Sequence, residues 1–373
     1  LHNQNSYYGL NVYDIKQSSF YSNLIFNSII NNTKHKFATG INFAYDNYNE
    51  FVGLTDYGRV DNSVGTFFEY TYDNDDNFSL VLGGRVDNHN RLGTFVTPRL
   101  HLRYNPWEKS VLRFSAGRGK RAANIFAENQ SLFASSRTFS ILDTDGKIYG
   151  LNPEIAWNYG LSFNQKFQLF GRNGDAGFDL YRTDFQNQAV VDVMQSPQQV
   201  LFYNLKGKSY ATSLQIEFNY ELANRFSLRS AYKYYDIQTQ YLSGVYQRPL
   251  QAKHRFFGNL EYETGRSESG SQWRFDATYN WLGKQQLPVT ASNPAQDRLP
   301  EFSPSYNLIN AQVTHVFSSN FEIYVGGENI GNYKQSKAIL GAETPFGPTF
   351  DASIVYAPIF GQMYYAGLRF KIK

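Results

Sequence analysis

Gln272-Trp273-Arg274-Phe275-Asp276-Ala277-Thr278-Tyr279-Asn280-Trp281 is the stretch that decides the fold. Trp273, Phe275, Ala277, Tyr279 and Trp281 alternate with Gln272, Arg274, Asp276, Thr278 and Asn280. Successive side chains of a strand point to opposite faces, so this run has one oily face and one wet face. The same split recurs where Leu214, Ile216, Phe218, Tyr220 and Leu222 oppose Ser213, Gln215, Glu217, Asn219 and Glu221. It returns, less cleanly, where Phe78, Leu80, Leu82, Gly84 and Val86 oppose Ser79, Val81, Gly83, Arg85 and Asp87.

The composition points the same way. A chain of 373 residues would by default be a two-domain globular protein with apolar residues three and four apart in helices, and almost none of that spacing occurs. Aromatic residues make up 17% and charged residues only 18%, an unusual balance for a soluble chain of this size. The net charge is +3, with basic residues interleaved among acidic ones, which argues against a nucleic-acid partner. The absence of cysteine suits a protein that crosses an oxidising periplasm unfolded. No run approaches the roughly 18 apolar residues of a membrane helix, a test that a barrel evades because half its residues face inward. Leu1 opens directly into patterned sequence, so a signal peptide is expected upstream and the chain reads as a fragment.

Strand length and loop parity separate a membrane barrel from a soluble sandwich. The alternating runs reach about 10 to 14 residues, against roughly 5 to 6 in globular strands and about 9 to 11 for a tilted strand crossing a bilayer. Aromatic residues gather at the run ends, as Trp273 and Trp281 or Tyr232 and Tyr234 do, where interfacial girdles belong. About fifteen strands are predicted, near 18–30, 34–46, 61–72, 78–90, 94–105, 109–119, 155–169, 174–187, 208–222, 224–238, 250–264, 270–283, 305–318, 320–331 and 360–373. The stretch Tyr7 to Asp14 also alternates, which allows a further strand before residue 18. Backward from the last strand, long connections (332–359, 284–304, 239–249, 188–207, 120–154) alternate with tight ones at Ser318–Asn320, Gly265–Ser269, Ala223–Asn224, Phe170–Asn173 and Pro106–Glu108. Only Arg91–Gly93 is shorter than its rank predicts. Outer-membrane barrels keep this parity, with the long loops outside and the C-terminus on the periplasmic side. An odd strand number predicts more barrel upstream.

Several segments carry a family resemblance. Gly117 to Asn129, then Leu151-Asn152-Pro153-Glu154 and Asn158-Tyr159-Gly160, resemble the passage of TonB-dependent receptors from a barrel strand across a large surface loop into an "L-x-P-E … E-x-G" strand start. Asn158 stands where that family often has Glu. Gly327-Glu328-Asn329-Ile330-Gly331-Asn332-Tyr333 is similar to the family's "x-x-N-L-x-x-x-Y" strand end, and Tyr364 to Phe370 resemble its terminal strand. The chain ends Lys371-Ile372-Lys373, where the family frequently ends on an aromatic residue.

The resemblance implies an all-β, transmembrane, antiparallel up-and-down β-barrel of 22 strands, with residues 1–373 its C-terminal part. It implies a cell outer-membrane location, an upstream plug domain, and an upstream box that binds the TonB protein. The expected function is energised import of a scarce nutrient, an iron-siderophore first, then haem, cobalamin or oligosaccharide. Lipid and lipopolysaccharide are expected neighbours. A passive porin is the alternative, and an adhesin or membrane-anchored enzyme is a third. No Gly-x-Ser-x-Gly elbow and no histidine pair at metal-ligand spacing is present, so neither catalysis, metal nor cofactor is expected.

Loops carry recognition on rigid scaffolds, so the ligand-binding candidates lie in loop 120–154: Arg121, Asn124, Phe126, Glu128, Asn129, Phe133, Arg137 and Tyr149, most of them expected to pack the loop itself. Arg85, Arg99, His101 and Arg103 are expected to form a basic stripe in the lumen, paired with plug carboxylates. Asp143, Asp145 and Gly146 read as an Asp-Gly turn rather than a calcium loop, whose later ligands are missing. Asp73 to Asp76 read as a solvated turn, and Gly117 to Lys120 as a strand end.

Overall fold

The computed structural model describes residues 1–372. Strands β1 (His2–Tyr8), β2 (Asn11–Ile30), β3 (Asn32–Val52), β4 (Thr55–Asp56), β5 (Arg59–Asp73), β6 (Phe78–His89), β7 (Gly93–Tyr104) and β8 (Ser110–Arg121) make the first half. A 3-10 turn at Ala127–Phe133 and β9 (Thr138–Ile141) follow within the long loop. Then come β10 (Glu154–Leu169), β11 (Arg172–Asn187), β12 (Ala189–Asp192), β13 (Gln199–Asn204), β14 (Ser209–Ala223), β15 (Phe226–Tyr241) and β16 (Gly244–Gln247). The chain closes with β17 (His254–Glu263), β18 (Gln272–Leu282), β19 (Tyr306–Ser318), β20 (Phe321–Glu328) and β21 (Met363–Phe370). Each of the fifteen predicted runs has its strand.

Two differences stand out. The stretch Tyr7 to Asp14 resolves into the end of β1, a turn at Gly9-Leu10 and the start of β2. Strands β2 and β3 run 20 and 21 residues, longer than 18–30 and 34–46, because their outer ends are held within the barrel mouth by the buried Tyr13 and Glu50. Lys373, where the last strand was expected to end, lies outside the described residues.

One sheet of 18 strands contains everything except β9, β12 and β13, which form a separate three-stranded sheet within the outer loops. Its pairings are antiparallel between chain neighbours, with β4 and β16 as short extensions. This is an up-and-down wall. Tight turns have the chemistry they need. At Phe170-Gly171 both residues take positive φ, 51° and 74°, as a two-residue hairpin requires. At 73–77, Asn74 Oδ1 accepts the backbone N–H groups of Asp76, Asn77 and Phe78.

Register separates the two faces. Ile216 lies across from Phe178 and Tyr232, whereas Gln215 lies across from Asp179 and Lys233. The apolar row is exposed, with Ile216 at 47% and Leu24 at 74%, as expected of a surface made for hydrocarbon. The four tryptophans bracket it: Trp107 and Trp273 at the tight-turn end, Trp157 and Trp281 at the long-loop end.

The buried core sits in the mouth, among the outer loops. Ile125, Phe126, Phe133, Val200, Phe202 and Tyr13 are its centre. Phe133 and Phe139 rings lie 4.5 Å apart, and Phe126 meets Phe202 edge-on at 5.6 Å. The Gly9 turn, beside one sheet edge, has no room for a Cβ because the ring of Phe346, in the loop before the other edge, packs on it. The sheet therefore curls until its edges approach one another at the mouth.

The face assignment has a measurable consequence. Ile216→Arg, in the middle of β14 on the outward face, is expected to lower folding free energy in lipid vesicles by about 2–4 kcal/mol. Gln215→Arg, one residue away on the inward face, is expected to stay within about 0.5 kcal/mol. Equal losses in a urea titration would overturn the register.

Candidate functional site

Five long connections crowd the mouth, and buried polar contacts tie them together. Arg137, buried to 2% exposure, reaches across from loop 122–153 to Asp351 in loop 329–362, with Nε 2.9 Å from Oδ2. Its Nη1 donates to the carbonyls of Ser196 and Gln199 in a third loop, at 3.0 and 3.3 Å. Asp351 also accepts the backbone N–H and hydroxyl of Ser353. Asp297 plays the same part between loops 283–305 and 329–362, accepting from the Gly341 N–H at 3.0 Å and the Thr349 hydroxyl at 2.9 Å, with Lys337 Nζ at 3.4 Å. The Gly341 N–H, with help from Thr349 and Lys337, holds the Asp297 carboxyl below the usual range.

Beneath loop 122–153 lies a buried network on the wall. Glu50 Oε2 accepts from Arg59 Nη1 at 2.8 Å and from the Tyr149 hydroxyl at 2.5 Å, while Oε1 accepts from Tyr13 at 3.0 Å. Arg59 also donates to Asn124 and pairs with Asp61 at 3.1 Å. Burial, and then the neighbouring Glu50 carboxylate, push the Tyr149 phenol up, so it stays a donor. In the small loop sheet, burial and the hydrogen bond to Asp192 do the same for Tyr203.

The eight loop candidates fall into two groups. Phe126 and Phe133 are core residues at 1% exposure; Arg137, Asn124 and Tyr149 belong to the buried networks. Arg121, Glu128 and Asn129 instead line a cavity of about 490 Å³ between loops and wall, which also takes in Glu154, Phe185, Val190, Ile237 and Arg248. Arg121 is gripped by Glu128 at 2.8 Å and Glu154 at 2.7 Å. Glu154, closing the "L-x-P-E" motif, was visible in sequence; Glu50, Arg59 and Arg248 carried no signal beyond inward phase on a strand or a place in a loop.

All four lumen candidates share the inward face. Arg85 pairs with Asp87 at 2.5 Å and with Asn42 at 2.7 Å, a cluster that fits because a Cβ at Gly65 would collide with Asp87. Arg99 pairs with Glu69. Two of the four thus find their carboxylates on the wall. Among the described residues none pairs with His101 or Arg103, and Arg103 stands directly across from Arg113. Asn329, in the motif before the last loop, brackets its turn by bonding both backbone groups of Tyr333, whose ring stacks on Tyr306 at 4.8 Å. Asp143 accepts the Asn204 N–H, and no group of three or more acidic or histidine side chains converges among the described residues.

An antiparallel wall with an apolar outer face, aromatic belts, a polar lumen and a mouth roofed by its own loops defines an outer-membrane β-barrel. The family model for TonB dependent receptor-like β-barrels matches residues 1–330, and the chain belongs to that family. No curated protein sequence matches it. Among solved structures it is similar to a ferric enterobactin receptor from Pseudomonas aeruginosa, at 13% identity and a TM-score of 0.67, over 96% of this chain and 54% of that one. It is also similar to the copper transporter OprC, at 12% identity and a TM-score of 0.69, over 96% and 57%. P. aeruginosa FpvA bound to heterologous pyoverdines matches at 14% identity and a TM-score of 0.64, over 96% and 49%. These likenesses show the fold. The chain spans about half the length of those structures.

Two substitutions probe the loop braces. Arg137→Met leaves Asp351 buried without its cation and is expected to cost about 3–5 kcal/mol, read as faster amide exchange in all three loops. Unchanged exchange in loop 329–362 would refute the brace. Asp297 has a depressed folded-state pKa, so its stabilisation is full above about pH 4 and lost as pH falls through the depressed value. The melting difference between wild type and Asp297→Asn should therefore close on acidification; a gap that widens in acid contradicts the assignment.

Proposed function

We propose that this chain is the barrel wall of a receptor that imports a metal chelate, foremost a ferric siderophore, across the outer membrane under TonB drive. The family match over residues 1–330 carries this reading, and the cavity beneath the roof of loops gives the ligand a place to dock. Of the similar structures, two are named for iron complexes and one for copper, which favours a metal chelate over haem, cobalamin or oligosaccharide. A plug domain and a TonB-binding box complete the protein in this reading.

Arg121, Glu128 and Asn129 are assigned to ligand contact. Asn124, Phe126, Phe133, Arg137 and Tyr149 hold the loop that presents them. In the lumen, His101 and Arg103 meet plug carboxylates, whereas Arg85 and Arg99 brace the wall. Deleting the gene is expected to slow growth when iron is supplied only as the cognate chelate, and the defect should be reproduced by deleting TonB. Arg121→Ala should weaken chelate binding by about 1–2 kcal/mol. Uptake that persists without TonB would replace this reading with a passive porin.

A further inference from the structure

We infer that the mouth cavity selects a charge-neutral, partly apolar metal chelate of the trihydroxamate kind over a polyanionic one such as a tricatecholate. The inference rests on the chelate-import reading above. Its ground is the balance of charge: two cations, Arg121 and Arg248, and two carboxylates, Glu128 and Glu154, line the cavity. Arg121 already lies between both carboxylates, at 2.8 and 2.7 Å. Arg248, which makes no ion pair among the described residues, brings the lining to zero net charge, so the cavity as a whole offers an anion no net attraction.

Three further cations of the mouth are held by carboxylates. Arg137 is neutralised by Asp351, Lys337 by Asp297, and Arg59 by Glu50 and Asp61. A trianion entering here would shed water with Arg248 alone among the lining cations free to face it, and a buried charge left largely without partners is expensive. A neutral chelate meets what the cavity does supply. Leu132, Val190, Val193 and Ile237 offer apolar surface, and Gln188 and Thr239 offer uncharged hydrogen-bonding groups.

Binding of a neutral ferric trihydroxamate and of a trianionic ferric tricatecholate to the full-length protein tests this, measured by calorimetry at low and high salt. The expected result is at least about tenfold tighter binding of the neutral chelate, little changed between roughly 0.05 and 0.5 M salt. Glu128→Gln with Glu154→Gln frees Arg121, and the affinity ratio should move at least about tenfold toward the trianion, the scale of a single charge acting across about 12 Å at an effective dielectric near 20. Glu128→Gln alone, at a half-exposed loop position, should move it in the same direction and guards against misfolding of the double variant. Equal or tighter binding of the trianion by the wild type overturns the charge inference and leaves chelate import standing. If neither chelate binds protein that still shifts on gels upon boiling, the import reading falls and this inference with it.

Discussion

Within hydrocarbon no water is available to satisfy a backbone amide, so every N–H and C=O of the wall must find its partner on a neighbouring strand. That single requirement organises this molecule. It makes each long strand pair with its chain neighbour, fixes tight turns at one end and leaves the long connections at the other. Because pairing register also sets side-chain phase, it sends Ile216 outward and Gln215 inward without any packed interior to sort them. Apolar residues that would form a core in a soluble protein become a surface, and the tryptophans mark where that surface meets water.

Freed from hydrocarbon, the loops behave as an ordinary small protein does. They bury rings against rings, build a sheet of their own, and place their charged groups in pairs. The wall contributes from below through Tyr13, Glu50 and Arg59, so roof and wall share one polar network. A cavity lies between this roof and the wall, where Arg121 is held between Glu128 and Glu154.

The fold was legible because its signals are local. A period of two and the alternation of short and long connections can be read within a hairpin, and all fifteen runs were visible that way. The Asn329 and Tyr333 spacing was legible through its resemblance to the family's strand end, and it closes a turn four residues on. The mouth was not. Arg137 meets Asp351 across 214 positions, and Arg59 meets Asn124 across 65, separations at which no pattern in the chain announces a contact. Phe126 and Phe133 look in sequence like rings offered to a ligand, yet they are the centre of a core that forms only when distant loops converge. Phase alone puts Arg85 and Arg99 on the same face as their polar neighbours, but their carboxylate partners Asp87 and Glu69 depend on rotamer and register, which phase does not fix.

The placement of the core in the mouth means that two solvents hold this protein together. The wall's outward face is matched to lipid, so its strength follows bilayer thickness and composition. The roof is held by burial from water, and it weakens on cooling or in chaotropes as any aqueous core does. A detergent that replaces lipid therefore acts on one part, and a chaotrope chiefly on the other. The loop roof can thus drift in sequence, or come apart, on a schedule of its own, while the wall beneath it remains tied to the membrane.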